Sequence, residues 1–297
     1  MRRRARLALI AAGWLVLGPA GSAQPALPPG ACPALRWQAD HPAFGGLSAL
    51  AVTADGAGLI ALTDRGNWLS ARVGRGPDLC PIAVALDRLA PLADTGGAPL
   101  ARGRSDTEGL AILPGGALAV SLEGRRPRVL IYAAPGATPQ QPPAPAAFRA
   151  MGANAALESL AADVAGTLYT LAEAPQGQAF PVWRLRGGVW DQPFALPARG
   201  GFRAVDAAIG PDGRFYLLER RFLPPIGFAS RLRRFDLGPA GPAAETVLMT
   251  SPPGLYDNLE GLAIWRDGAG GLRASLVSDN NFVPVQRTEL VDLALPD

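Results

Sequence analysis

Glu108 and Glu123 bracket the segment "SDTEGLAILPGGALAVSLEG", one where a short apolar run begins and the other where the next run ends. The bracketing recurs as Ser48 with Asp64, Glu158 with Glu173, Asp206 with Glu219, and Glu260 with Asp279. Nine carboxylates and one serine thus occupy matched places. Carboxylates crowded into a partly desolvated space cannot all stay ionised unless something neutralises them. Oxygen ligands without histidine or thiolate suit calcium or magnesium better than zinc, and Asn154, Asn258, Asn280 and Asn281 add neutral oxygens near the same ends. Arginines follow the trailing acids at Arg65, Arg125, Arg126, Arg220 and Arg221. They would orient an anionic substrate beside a held cation, or neutralise the acids as purely architectural ion pairs.

Each bracketed unit reads as a β-hairpin: an apolar run, a turn rich in Gly, Asp or Pro, and a second run rich in Leu, Val, Ala or Tyr. The units start at 48, 108, 158, 206 and 260, a spacing that suits four-stranded propeller blades. In an antiparallel hairpin the start of the first strand lies beside the end of the second, so each pair falls at one end of its blade. Inner strands line a central channel, and the ten positions are therefore expected as two rings at one mouth. The expected fold is all-β, a propeller of five blades, or six if an irregular segment hides one. The last unit lacks an outer strand after "RTELVDLAL", and "ALRWQAD" near the start is expected to supply it and close the ring. Two stretches, "APGATPQQPPAPAAF" and "RRFLPPIGFASR", read as long loops within blades.

Residues 1–23 have the form of an export signal, with four arginines, the apolar run "LALIAAGWLVL" and small residues before Gln24. Residues 24–297 then form a single domain, periplasmic or secreted, with no stable membrane span after cleavage. Setting aside the four leader arginines, the remaining basic side chains fall one short of the 25 acidic ones, so the high pI says little about partners. The chain has no lysine and its arginines are scattered, which does not indicate nucleic-acid binding. In an exported chain Cys32 and Cys80 are expected to have a structural role, and a disulfide between them is compatible with that setting without following from two cysteines alone. His41 precedes a proline in a loop, and Ser48 lacks the Gly-x-Ser-x-Gly elbow, so neither supports histidine or serine nucleophile chemistry.

The motifs "FGGLSAL", "LTDRG", "DTEGLAI", "NAALESLA", "LLERRF", "DNLEGLA" and "SDNNF" resemble those of the phytase-like proteins with "esterase-like activity of phytase", bacterial exported β-propellers. The resemblance spans essentially the whole chain after the leader. Carried over by position, it implies functional acids at Asp64, Glu108, Glu123, Glu158, Glu173, Glu219, Glu260 and Asp279, with Arg65 and Arg220 as anion contacts. Asn258 joins the acids as a neutral metal ligand, and Glu108, Glu158 and Glu260 are the catalytic candidates. Ala156 and Ser159 depart from the family pattern around Glu158, and the absence of lysine departs from calcium-dependent propeller phytases. The expected activity is calcium-dependent hydrolysis of a small anionic ester, above all a phosphate ester. A calcium-dependent lactonase and a non-catalytic binding or scaffold module are the alternatives.

Overall fold

A computed structural model describes residues 25–101, 106–151, 156–238 and 241–297. The expected export signal and Asn154 lie outside these residues. The first strand, β1 (Leu35–Arg36), does not pair with the strand next to it in the chain. Blade I comprises β2 (Leu47–Val52), β3 (Gly58–Thr63), β4 (Asn67–Arg75) and β5 (Pro81–Pro91). Blade II has β6 (Thr107–Ile112), β7 (Leu118–Leu122) and β8 (Arg128–Tyr132), with an isolated bridge between Ile131 and Gln140 in place of a fourth strand. Blade III contains β9 (Ala161–Ala162), β10 (Leu168–Thr170), β11 (Ala179–Arg186) and β12 (Val189–Pro197). Blade IV contains β13 (Arg203–Ile209), β14 (Phe215–Leu223), β15 (Gly227–Gly238) and β16 (Gly241–Thr250).

Blade V joins the two ends of the chain. Its strands β17 (Asn258–Arg266), β18 (Leu272–Asp279) and β19 (Glu289–Ala294) are completed by β1, with Leu35 opposite Leu290 and Arg36 opposite Glu289. The closing strand is therefore the one expected from "ALRWQAD". Inner strands meet in succession, β2 with β6, β6 with β9, β9 with β13, β13 with β17 and β17 with β2, which makes a five-bladed propeller. Cys32 is disulfide-bonded to Cys80 and ties the closing segment to blade I.

Five apolar cores fill the five seams between neighbouring blades. Side chains alternate across a strand, so each blade sends one face to each neighbour. In blade I, Leu50, Leu59 and Leu69 pack toward blade V while Ala49, Leu62 and Trp68 pack toward blade II. Both faces are buried, which is why the strands read as continuous apolar runs. The close approach of inner strands also accounts for the glycines of the two Glu-Gly-Leu-Ala motifs. A Cβ on Gly109 would stand 2.6 Å from the Leu160 nitrogen in blade III, and one on Gly261 2.9 Å from the Ala49 carbonyl carbon in blade I.

"RRFLPPIGFASR" differs from expectation. It is a regular extension of the β14–β15 hairpin, with Phe222 opposite Phe228 and Leu223 opposite Gly227.

Candidate functional site

The inner strand of four blades carries a register irregularity at the mouth of the channel. Ser48 is the extra residue between Leu47 and Ala49, and Glu260 is the extra residue between Leu259 and Gly261. Glu108 and Gly109 fill the irregular stretch between Thr107 and Leu110. Such bulges bend a strand and re-aim a side chain that regular pleating would send into a seam. In blade IV the extra residue is Val205, between Ala204 and Asp206.

That one-residue offset changes which blade IV residues belong to the rings. Val205 matches Glu260, while Asp206 matches the glycine after it. On the second strand, Asp279 faces Asn258, and the corresponding cross-strand pair in blade IV is Arg220 with Arg203. Arg220, rather than Glu219, therefore stands with Asp64, Glu123, Glu173 and Asp279. Asp206 is fully buried and accepts from the backbone amides of Ala207 at 2.8 Å and Leu262 at 2.7 Å, which stitches blade IV to blade V. Glu219 is fully buried too, and both its oxygens are taken by guanidiniums, from Arg231 at 2.8 and 3.1 Å and from Arg233 at 2.8 and 2.7 Å. Ser48 donates to the Thr107 carbonyl at 2.5 Å and joins blades I and II. These three side chains hold the ring together.

The remaining acids divide into two groups. Arg220 pairs with Glu260 and, at 3.4 Å, with Glu173; Arg203 also reaches Glu173, at 3.2 Å. Asn258 accepts from Arg220 at 2.7 Å and donates to Glu260 at 2.7 Å. By contrast, none of Asp64, Asp106, Glu108, Glu123, Glu158 and Asp279 forms an ion pair among the described residues. Carboxylate oxygens of Asp106, Glu108 and Glu123 lie within 4.8 Å of one another, close enough to hold one metal ion together. Asp106 was not anticipated; its place two residues before Glu108 is the signal, since alternate strand residues share a face.

Burial first, and mutual repulsion second, raise the pKa values of these acids. Burial, then the charges of Glu158, Glu123 and Asp106, hold Glu108 protonated well above the usual carboxylate range. Glu158 is pushed up to about 8 by burial and by Glu123 and Glu173, with Arg220 opposing. Burial is also the leading cause for Glu123, raised to about 7 with Asp106 adding, and for Asp64, raised to about 7 with Asp279 adding. Asp279 rises to about 6, mainly through burial, against the opposing Asn281 amide. Blades I, II, III and V thus bring acids near enough to feel one another, and blade IV brings cations.

Asp64 has a further mark of an incomplete site. Its Oδ1 is buried and receives no hydrogen bond from the described residues. Gly46, at φ +61°, sits so close to this carboxylate and to the Phe282 ring that any side chain there would collide with both. Arg65 lies over the Phe282 ring, 3.2 Å from its centroid. Asn280 accepts from the Gly46 and Phe282 amides at 3.0 and 3.1 Å, so it shapes this loop. An all-oxygen donor set, an orphaned carboxylate oxygen and uncompensated charge together fit a hard divalent cation.

Beside the acids opens a cavity of about 490 Å³, lined among others by Glu173, Glu260, Asn258, Arg203 and Arg220. Of the catalytic candidates, Glu260 lines this cavity, Glu108 belongs to the acidic cluster, and Glu158 feels the charges of both sides.

Among solved structures, an α-L-arabinofuranosidase from Podospora anserina is 12% identical, with a TM-score of 0.52 over 90% of this chain and 95% of that one. A gluconolactonase from Xanthomonas campestris is 17% identical, with a TM-score of 0.46 over 92% and 97%. A PQQ-bound aldose sugar dehydrogenase from Streptomyces coelicolor is 14% identical, with a TM-score of 0.44 over 91% and 100%. At such identities only the arabinofuranosidase likeness has weight, and it concerns the fold alone. No curated protein matches the chain in sequence. The phytase-like family, described as "Esterase-like activity of phytase", matches residues 42–282, a span that takes in every acid of both rings, and the chain belongs to that family.

Proposed function

We propose that this protein is a calcium-dependent hydrolase of small anionic esters, with phosphate esters as the leading substrate class. The observation that carries this reading is the cluster of Asp106, Glu108 and Glu123, which have no ion-pair partner among the described residues, together with an arginine-lined cavity. Asp106, Glu108 and Glu123 would hold the cation, with Asp64 on the adjoining blade I and Asp279 on blade V beyond it. When bound, the cation supplies positive charge to an ester oxygen and lowers the pKa of water. Arg220 orients the anion and is itself fixed by Glu260, Glu173 and Asn258. Glu158, which feels the charges of Glu123 and Glu173 and of Arg220, would accept or return a proton at its carboxylate oxygens. Such chemistry would need no histidine or serine nucleophile.

Calcium calorimetry on the wild type and on a Glu108→Gln, Glu260→Gln double variant tests the cation site; undiminished binding in the variant would reject it. Activity on aryl phosphates and on lactones, with and without chelator, separates the two hydrolase chemistries. Inactivity on both panels leaves a binding module.

We place the protein in the periplasm or outside the cell, supported by the leader composition and the Cys32–Cys80 bridge. Among the described residues no helix is long and apolar enough to cross a membrane. Fractionation with a reporter fused after residue 297 tests the location, and cytoplasmic recovery would overturn it.

A further inference from the structure

The β14–β15 hairpin continues beyond the ring position of Arg220 and forms one wall of the 490 Å³ cavity. Phe222 follows Arg220 by two residues on the same strand, so both project from one face. Phe228 is its cross-strand partner, with the two rings 4.9 Å apart and tilted by 37°. Arg203 is the cross-strand partner of Arg220 on the other side. Two guanidiniums and two phenyl rings are thus set in a row on one blade.

Phe222 is 60% exposed, although every other phenylalanine among the described residues is at least partly buried. Its ring contributes little to any core and faces the cavity. Arg221 also lines the cavity; it donates to the Gly200 carbonyl at 3.3 Å and has no carboxylate partner among the described residues. Three guanidiniums therefore meet only two carboxylates, Glu173 and Glu260, which leaves positive charge at the arginine end. The cavity is of a size that holds a whole small organic molecule rather than an anion alone.

We infer that this cavity binds the organic half of the substrate and selects a flat aromatic phosphate monoester. The phosphate lies at Arg203, Arg220 and Arg221, beside Glu173 and Glu260, and the ring lies against Phe222 and Phe228. Arginine forks match phosphate oxygens, and paired phenyl rings offer an offset or edge-on surface to a third ring. The assignment rests on the ester-hydrolase reading for its direction of chemistry, but its recognition content is testable without turnover.

The test is calorimetric binding of phenylphosphonate and methylphosphonate, which cannot be hydrolysed, to the calcium-loaded full chain. Phenylphosphonate is expected to bind about tenfold tighter. Phe222→Ala, an exposed substitution, should bring it down to the methylphosphonate level and leave methylphosphonate unchanged, whereas Arg221→Gln should weaken both. Equal affinities in the wild type, or a preference that survives Phe222→Ala, would overturn the assignment. A cyclohexyl analogue that binds as tightly as the phenyl one overturns its aromatic part. Binding with this preference but no turnover of phenyl phosphate keeps the cavity assignment and removes the hydrolase reading. Turnover of phenyl and methyl phosphates with equal kcat/KM does the reverse.

Discussion

Arg220 in blade IV and Asp279 in blade V occupy equivalent ring positions, one a cation and the other an acid. The single exchange of sign divides the mouth of the channel. On the blade IV side Glu260 and Glu173 are neutralised by arginine, and on the opposite side the acids are left to repel.

Arg220→Gln should release both Glu173 and Glu260 from their partner. With side chains 21% and about 15% exposed, the loss is expected to be on the order of 2 kcal/mol in urea unfolding. An unchanged midpoint would show that Arg203 suffices for Glu173 and Asn258 for Glu260.

The acidic side makes a prediction about pH. Asp64, Glu123, Glu158 and Asp279 have folded pKa values of about 7, 7, 8 and 6, all above their ordinary ones. Over that interval the folded chain binds more protons than the unfolded one, so stability falls as pH rises. Thermal unfolding in chelator should therefore give a Tm that drops by several degrees from pH 5 to pH 8. Below pH 4 the lowered carboxyls of Asp191 and Glu245 lose their stabilising effect, which sets an acid limit. Millimolar calcium should abolish the alkaline decline; a decline that calcium leaves untouched would count against the cation site.

Glu108→Gln and Glu219→Gln should behave oppositely, Glu108 being half-buried and Glu219 fully buried. Removing Glu108 relieves repulsion, so the metal-free protein should become more stable while calcium binding weakens. Removing the charge of Glu219 strands Arg231 and leaves Arg233 with Glu245 alone, and should cost about 3–5 kcal/mol with calcium affinity retained. Chemical denaturation paired with calcium titration distinguishes the two.

Gly109→Ala and Gly261→Ala test the seams. Each new methyl would press on the backbone of the neighbouring inner strand, and a loss of about 1–3 kcal/mol is expected for either. A neutral result would mean that the blades can separate slightly at no cost.

The architecture was legible because apolar hairpins recur at nearly constant spacing and because blade V lacked a strand that "ALRWQAD" could supply. Most of the acidic rings followed from the same repeat. Blade IV defeated the alignment: "AVDAAIGPDGRFYLLERR" aligns by its Asp and Glu, but its bulge falls at Val205, and a one-residue slip sends every side chain to the other face. Bulges leave no mark in composition. Asp106 escapes a repeat that marks a single acid per strand, although Asp-x-Glu sets two carboxylates side by side.

Blade V has a consequence for how the molecule comes into being. Its outermost strand is synthesised first and its other three last, so Leu35 must wait for Leu290 before it gains its ladder partner. Translation order alone thus forbids a finished ring until almost the entire polypeptide has emerged. The bridge from Cys32 to Cys80 lets the waiting strand be moored to the earliest blade meanwhile. Shortening the chain at either terminus should open the same joint, and both truncations should yield the same gaping intermediate.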